Sequence, residues 1–370
     1  MESRKHLEYI DSVKALSMLM IMFGHITDLA NPVDTWMSSC KICVFYVISG
    51  FLMAYTNGLH KRTPLQFVKN ITANIAWPYL TFSVIAILVK CFYTFSKHKG
   101  MAAVAHTFRD NLGKTLFLSG INSMWFLPTL FFGELIILLL FLAPKFIRVL
   151  YAVFGLLAFR GAIWLTGALE SSGMSERLTE HLGYTVNMMG KSFIAAWFIG
   201  LGYILFLLMK KYDLLDGRHV VKLAAGLILT TVNVVLSQMN LHVDFNMMTM
   251  GDRPFLFLFG GIFGSLGLIL LFDAITSRVS LSGFNYWGRN SLILMCTHTA
   301  LGFKGIAYAG WAKVAHIPEE AGLEYIIECF CVLIILMFIM YGVTEFINKY
   351  FPWLAKFRSR RQRSSKAQAA

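Results

Sequence analysis

Residues 10–26 read IDSVKALSMLMIMFGHI, an apolar run that nevertheless carries Asp11, Lys14 and His25. A helix needs about 17 to 25 mostly apolar residues to cross roughly 30 Å of hydrocarbon, and further runs of this length follow along the chain. Because hydrocarbon offers no partner to an unpaired backbone group, the sequence predicts an all-α polytopic membrane protein with about ten transmembrane helices. The predicted spans are residues 10–26, 36–55, 71–95, 124–143, 146–169, 192–209, 220–239, 255–274, 291–309 and 323–347.

The composition of the chain argues against a soluble protein. Of the 370 residues 57% are hydrophobic and 14% are charged, whereas soluble domains carry about 25% charged residues. A surface with so few charges could not keep the 32 Phe and 19 Met in solution. The sequence has no P-loop, no dinucleotide fingerprint and no cluster of metal ligands. We therefore expect neither a metal site nor a tightly bound cofactor.

Most of the basic residues behind the net charge of +13 lie in alternate loops between the predicted spans. This distribution is typical of cytoplasmic loops, and no base-reading domain accompanies it, so we expect membrane lipids and no nucleic acid as partners. Ten crossings then predict that both termini are cytoplasmic. The loop at residues 97–123 is basic although it should lie outside, which indicates a re-entrant or interfacial helix, or a count that is off by one. The basic clusters are Arg4 and Lys5; Lys61, Arg62 and Lys69; Lys145 and Arg148; Lys210, Lys211 and Arg218; Arg278 and Arg289; and residues 356–366.

Ionisable residues within the first span are candidates for catalysis. A charge at mid-helix costs about 2.5–3.5 kcal/mol on insertion scales, so such residues usually face a cavity and mark function. At about 100° and 1.5 Å per residue, the helix places Lys14 and His25 on one face, roughly 16 Å apart. Asp28 follows His25 by three residues, where a carboxylate could fix the imidazole tautomer and raise its basicity. These groups suit a general base, and a histidine with a purely structural hydrogen bond is the alternative.

Three other ionisable residues, Glu134, Arg160 and His298, lie deepest in the remaining spans. We expect them to contact the acceptor substrate. A proton-coupled saccharide transporter or flippase is the alternative function, with a proton path through His25, Glu134 and His298. The two halves of the chain show no repeat of the kind that many such transporters contain. An inactive structural or sensor protein is a third possibility.

Several motifs, in order along nearly the whole chain, resemble the acyltransferase 3 family of integral membrane O-acyltransferases. The chain is most similar to the branch of fucose O-acetylases and other surface-polysaccharide acetylases. Three of the motifs also have structural interpretations. Ser49-Gly50 allows a close helix approach or opens the backbone beside a ligand. Trp125–Pro128 suits the start of a helix, as does Gly288–Ser291 with Asn290 as its cap. The motifs are Asp11-Ser-Val-Lys14, Phe23-Gly24-His25, Phe45-Tyr-Val-Ile-Ser-Gly-Phe51, Met124-Trp-Phe-Leu-Pro128 and Gly288-Arg-Asn-Ser-Leu292 with His298.

The resemblance implies a transferase that takes an acetyl group from cytoplasmic acetyl-CoA and delivers it to a hydroxyl of a surface or lipid-linked glycan. It implies an acyltransferase domain at residues 7–346, a basic cytoplasmic tail at 347–370 and a location in the bacterial cytoplasmic membrane. The family's first-span motif pairs a basic residue with an essential histidine, which correspond to Lys14 and His25. Acyl-CoA is then expected to bind Lys14, Lys61, Arg62 and Lys69, with His25, Asp28 and Lys14 as the catalytic set.

Two positions depart from the family pattern. Lys14 stands where an arginine is usual, and an ammonium lacks the planar fork with which arginine binds a phosphate. In the stretch before Pro78 only Lys69 supplies a charge, and Asn74 occupies a position where an arginine is expected. Both departures concern the donor side of the reaction.

Overall fold

The computed structural model describes residues 7–212, 218–241, 243–315 and 318–355. The basic residues Arg4 and Lys5 and those at 356–366, which we predict to be cytoplasmic, lie outside the described residues.

Helices form nearly all of the secondary structure in the described part of the chain. A short antiparallel hairpin pairs β1 (Val243–Asp244) with β2 (Thr249–Met250), in a register that places Val243 opposite Met250. A π-helical turn (Thr72–Ala76) joins α4 to α5, and a 3-10 turn (Asn122–Trp125) precedes α7. The helices are α1 (Glu8–Ile26), α2 (Pro32–Tyr55), α3 (Gly58–Lys61), α4 (Pro64–Ile71), α5 (Trp77–Ser96), α6 (Gly100–Leu116), α7 (Phe126–Leu142), α8 (Lys145–Phe154), α9 (Leu157–Glu170), α10 (Glu176–Lys211), α11 (His219–Gln238), α12 (Pro254–Thr276), α13 (Ser282–Arg289), α14 (Ser291–Thr297), α15 (Phe303–Trp311), α16 (Leu323–Tyr350) and α17 (Pro352–Ala355).

Eight of the helical segments within the described residues are long and apolar enough to cross a membrane. They coincide with eight of the ten predicted spans, which confirms an all-α polytopic membrane protein. The segments are Glu8–Ile26, Pro32–Tyr55, Pro64–Ser96, Asn122–Leu142, Glu176–Lys211, His219–Gln238, Pro254–Thr276 and Leu323–Tyr350.

The other two predicted spans are not continuous helices, so the described residues contain eight or nine candidate crossings where the sequence predicts about ten. The run at 146–169 forms α8 and α9, which are bent by 63° and make at most a ninth crossing. The run at 291–309 is interrupted between α14 and α15. At this interruption Gly302 adopts a left-handed φ of 84°, and the N–H of Lys304 donates to the carbonyl of His298 at 2.8 Å. Mean apolarity over a window does not register such a turn.

The basic loop at 97–123 contains a helix, as expected for an interfacial or re-entrant segment. This helix, α6, packs along α5, and the Tyr79 hydroxyl donates to the carbonyl of Thr115 at 2.7 Å. Its depth in the membrane stays a prediction.

The chain forms two compact units. One contains the chain up to Asn57 with Ala195–His298 and Phe303–Ile339. The other contains Gly58–Ile194, Thr299–Gly302 and the chain from Met340. In the first unit α1 packs against α2, α12 and α13. In the second, Trp125 and Pro128 are buried at the start of α7, in agreement with the helix-start interpretation, and Lys191 lies 4.8 Å from the centroid of the Trp125 ring system.

Two glycines bring α2 and α10 into backbone contact within the first unit. Gly50 lies against the carbonyl of Ile199, and Gly202 lies against the carbonyl of Val47. A Cβ atom at either position would overlap the opposite backbone. The interpretation of Ser49-Gly50 as a close helix approach is therefore confirmed.

A buried asparagine links three helices of the first unit. The Asn233 side chain in α11 is fully buried. It accepts from Trp36 Nε1 at 2.8 Å and donates to Ser39 Oγ at 2.8 Å and to the Gly260 carbonyl at 2.9 Å. These three bonds use both N–H groups of the amide and its oxygen. Separating the helices would leave these buried polar groups without partners, which is costly, so the bonds hold α2, α11 and α12 together.

Candidate active site

The first helix carries both residues of the predicted catalytic pair. Lys14 and His25 lie on α1 and are half-buried. The 1.5 Å rise per residue places them roughly 16 Å apart along the axis. The helix ends at Ile26, and the N–H of Thr27 closes its last turn on the carbonyl of Phe23 at 3.0 Å.

Asp28 does not stand over His25 in a helical turn, because it lies beyond the helix end. Its side chain is 69% exposed and pairs with Lys304 Nζ at 3.6 Å. The expectation of an i, i+3 contact with His25 is therefore wrong, whereas a catalytic role for Asp28 is not tested.

The neighbour of His25 is a second imidazole, that of His298. The two ring centroids are 5.2 Å apart and the planes are inclined by 48°. His298 follows α14 at the interruption of the predicted ninth span and is completely buried. The fold thus joins two histidines that are 273 positions apart in the sequence.

Hydrogen bonding defines the tautomer of His298. Its Nδ1 lies 2.7 Å from the carbonyl of Leu294, and a carbonyl only accepts, so Nδ1 carries the proton. In the neutral ring Nε2 then presents a lone pair. This atom is buried and has no hydrogen-bond partner in the described part of the chain. His298 therefore offers an unused acceptor beside His25.

A lysine that we did not single out from the sequence lies next to His25. Lys41 in α2 donates to Asp34 Oδ1 at 3.1 Å and to Ser38 Oγ at 2.8 Å. The ion pair packs against Gly24, where a Cβ atom would overlap the ammonium of Lys41 and lie 2.7 Å from Asp34 Oδ1. The available signal was a charged residue inside the predicted span 36–55.

Lys304 pairs with Asp28, in the segment that follows α1. Lys41 and Lys304 supply the positive charges that act on the His25 ring. The Tyr325 hydroxyl in α16 accepts the backbone N–H groups of Asp28 at 2.7 Å and of Leu29 at 3.0 Å. This phenol holds the segment that carries Asp28.

A polar network surrounds the beginning of α1, towards Lys14. Asn285 in α13 is buried, accepts from the Ser12 hydroxyl and donates to Glu8 Oε1 at 3.0 Å. Ser280 donates to the same Glu8 oxygen at 2.9 Å. These bonds join the beginning of α1, which carries Lys14, to α13 and the segment before it, while His25 lies near the other end of α1.

Residues 7–345 match the family described as an acyltransferase domain, the acyltransferase 3 family. The chain belongs to this family. Neither the curated proteins nor the solved structures gave a match. Family membership and the long apolar helices together make the chain a multi-pass membrane acyltransferase.

The remaining predicted residues of this acyltransferase 3 protein belong to the second unit. Lys61, Arg62 and Lys69 are exposed in and after α3 and in α4, and Glu134 is half-buried in α7. Arg160 is exposed in the first turn of α9. It lies close to the bend between α8 and α9, and its depth in the membrane stays a prediction.

Proposed function

We propose that this membrane acyltransferase transfers an acetyl group from cytoplasmic acetyl-CoA to a hydroxyl of a surface or lipid-linked glycan, with His25 as the general base. The proposed setting is the bacterial cytoplasmic membrane with both termini in the cytoplasm. The main support is the pair of imidazoles at the end of α1, where half-buried His25 meets fully buried His298 at 5.2 Å between ring centroids.

In the proposed reaction the His25 lone pair takes the proton of the acceptor hydroxyl as its oxygen attacks the thioester carbon. The tetrahedral intermediate collapses, the carbon–sulfur bond breaks, and the CoA thiolate leaves with the proton returned by His25. General acid–base catalysis of this kind contributes about 10²- to 10⁴-fold to a rate. The open Nε2 of His298 is proposed to accept a hydrogen bond from the glycan.

The distance between Lys14 and His25 suits a long donor. CoA carries its phosphates and its thioester at opposite ends of the pantetheine arm, so a cation and a base roughly 16 Å apart along one helix can serve the two ends separately. We propose that Lys14 meets the donor as a point charge, and that exposed Lys61, Arg62 and Lys69 contribute to phosphate binding. Glu134, which is half-buried, remains a candidate acceptor contact.

The test replaces His25 by Ala and compares it with His106→Ala, a control at an exposed histidine of α6. Acetyl esters on surface glycans are measured by mass spectrometry, and release of the CoA thiol from acetyl-CoA is measured in membrane vesicles. We expect His25→Ala to lower both by at least about 100-fold, and His106→Ala to leave them unchanged. Wild-type acetylation by His25→Ala protein that is intact in the membrane would refute the assignment.

A further inference from the structure

We propose that Lys41 is a further catalytic residue of this acyltransferase, and that its ammonium stabilises the oxyanion formed on the thioester carbonyl. The inference rests on the proposed function and adds a group that the sequence motifs do not include.

The absence of a side chain at residue 24 leaves room for the Lys41 ammonium. A Cβ atom there would overlap the ammonium, so the cation lies against α1 at the residue that precedes His25. The same packing admits Asp34, whose Oδ1 would be 2.7 Å from that Cβ. The cation from α2 thus contacts α1 one residue before the proposed base.

The ammonium is oriented and retains one unused donor. An ammonium has three N–H groups, and the two hydrogen bonds of Lys41 to Asp34 and Ser38 use two of them. Ser38 also donates to Asp34 Oδ1 at 3.3 Å, which closes a triangle of three side chains. The third N–H has no partner among the described residues and is available to a substrate oxygen. Donors that are fixed before the reaction give the largest stabilisation of a developing charge.

Lys41 fits this role better than Lys304, the other cation that acts on His25. The Lys41 side chain is 16% exposed and that of its partner Asp34 is 27% exposed, against 31% and 69% for Lys304 and Asp28. The Lys304–Asp28 distance is also longer, 3.6 Å against 3.1 Å. A better shielded cation interacts more strongly with a developing negative charge, because water screens it less.

The step balances without any further reactant. As the acceptor oxygen bonds to the carbonyl carbon, the π electron pair moves onto the carbonyl oxygen and the hydroxyl proton moves to His25. Lys41 keeps its protons and donates a hydrogen bond to the oxyanion. When the carbonyl re-forms, the carbon–sulfur bond breaks and the thiolate takes the proton from His25.

The experiment compares Lys41→Met, Lys41→Arg and Gly24→Ala in membrane vesicles supplied with acetyl-CoA. Gly24→Ala adds one methyl group at the ammonium and changes no charge. Lys114→Met is the matched control, since Lys114 forms an i, i+4 pair with Asp110 at 2.9 Å in α6. The maximal rate of acetyl transfer, the half-saturating acetyl-CoA concentration and the amount of folded protein are measured for each variant.

Loss of one oxyanion donor lowers kcat by about 10²- to 10³-fold. We expect this loss in Lys41→Met with an unchanged half-saturating concentration, partial recovery in Lys41→Arg, a loss in Gly24→Ala and a wild-type rate in Lys114→Met. A Lys41→Met rate within threefold of wild type would overturn the inference, and so would an effect on half-saturation or folding alone. In either case an inactive His25→Ala protein would leave the proposed function standing.

Discussion

Replacement of His298 by leucine should lower the rate of acetyl transfer and yet leave the protein at least as stable. In the wild type the buried Nε2 lone pair has no partner among the described residues, while Nδ1 donates to the Leu294 carbonyl at 2.7 Å. A buried unsatisfied acceptor such as Nε2 costs about 1–3 kcal/mol, and a hydrogen bond such as that from Nδ1 to the carbonyl contributes about 0.5–1.5 kcal/mol. The carbonyl of Leu294 keeps the backbone N–H of His298 at 3.1 Å after the substitution.

The difference between these terms predicts a gain of about 1 kcal/mol in the free energy of unfolding of His298→Leu, together with the loss of activity. The assay is a denaturant titration in detergent, run beside thiol release from acetyl-CoA. His25→Leu is the comparison. Because the His25 ring is half-buried, this variant should lose activity while its free energy of unfolding changes by no more than about 0.5 kcal/mol. A loss of more than about 1 kcal/mol in His298→Leu would show that Nε2 has a structural partner. Retained activity would refute its role at the site.

Two other substitutions probe the frame and the donor end of the site. Asn233→Ala breaks three buried hydrogen bonds. Each interhelical bond contributes about 0.6 kcal/mol and the substitution also leaves a cavity, so the free energy of unfolding should fall by at least about 2 kcal/mol in the same titration. A fall of less than about 0.5 kcal/mol would contradict the role of Asn233 in linking α2, α11 and α12. Lys14→Gln should raise the half-saturating acetyl-CoA concentration about tenfold or more at an unchanged maximal rate, because a hydrogen bond to a charged group contributes about 1.5–3 kcal/mol. Lys14→Arg should restore the wild-type half-saturating concentration. An unchanged half-saturating concentration in Lys14→Gln would show that the CoA phosphates bind elsewhere.

The sequence predicted those parts of the site that depend on a single helix. Lys14 and His25 share one face of α1 because 11 residues make slightly more than three full turns. The expected Asp28 contact failed since it required the helix to continue past Ile26. The end of a helix depends on local capping, and here the next segment is held by the Tyr325 hydroxyl of a distant helix.

Contacts between helices could not be predicted in the same way. His298 was recognised as a deep ionisable residue, but its proximity to His25 depends on the packing of α14 near α1. Lys41 lies inside an apolar run, and the sequence does not single it out as a site residue, because its place near the site depends on its contact with Gly24 of another helix. The interrupted span at 291–309 has the composition of a crossing helix, and only the backbone conformation at Gly302 distinguishes it from one.

The reciprocal contact of Gly50 and Gly202 limits how this protein can move. Each glycine meets a carbonyl of the opposite helix without an intervening side chain. Rotation or sliding of α2 against α10 would drive a neighbouring side chain into that backbone, so the crossing behaves as a fixed pivot. Lys41 and Asp34 lie on the same helix as Gly50, so we expect the crossing to restrict their movement. We then expect a motion that admits the proposed acceptor to His25 to involve helices other than this pair.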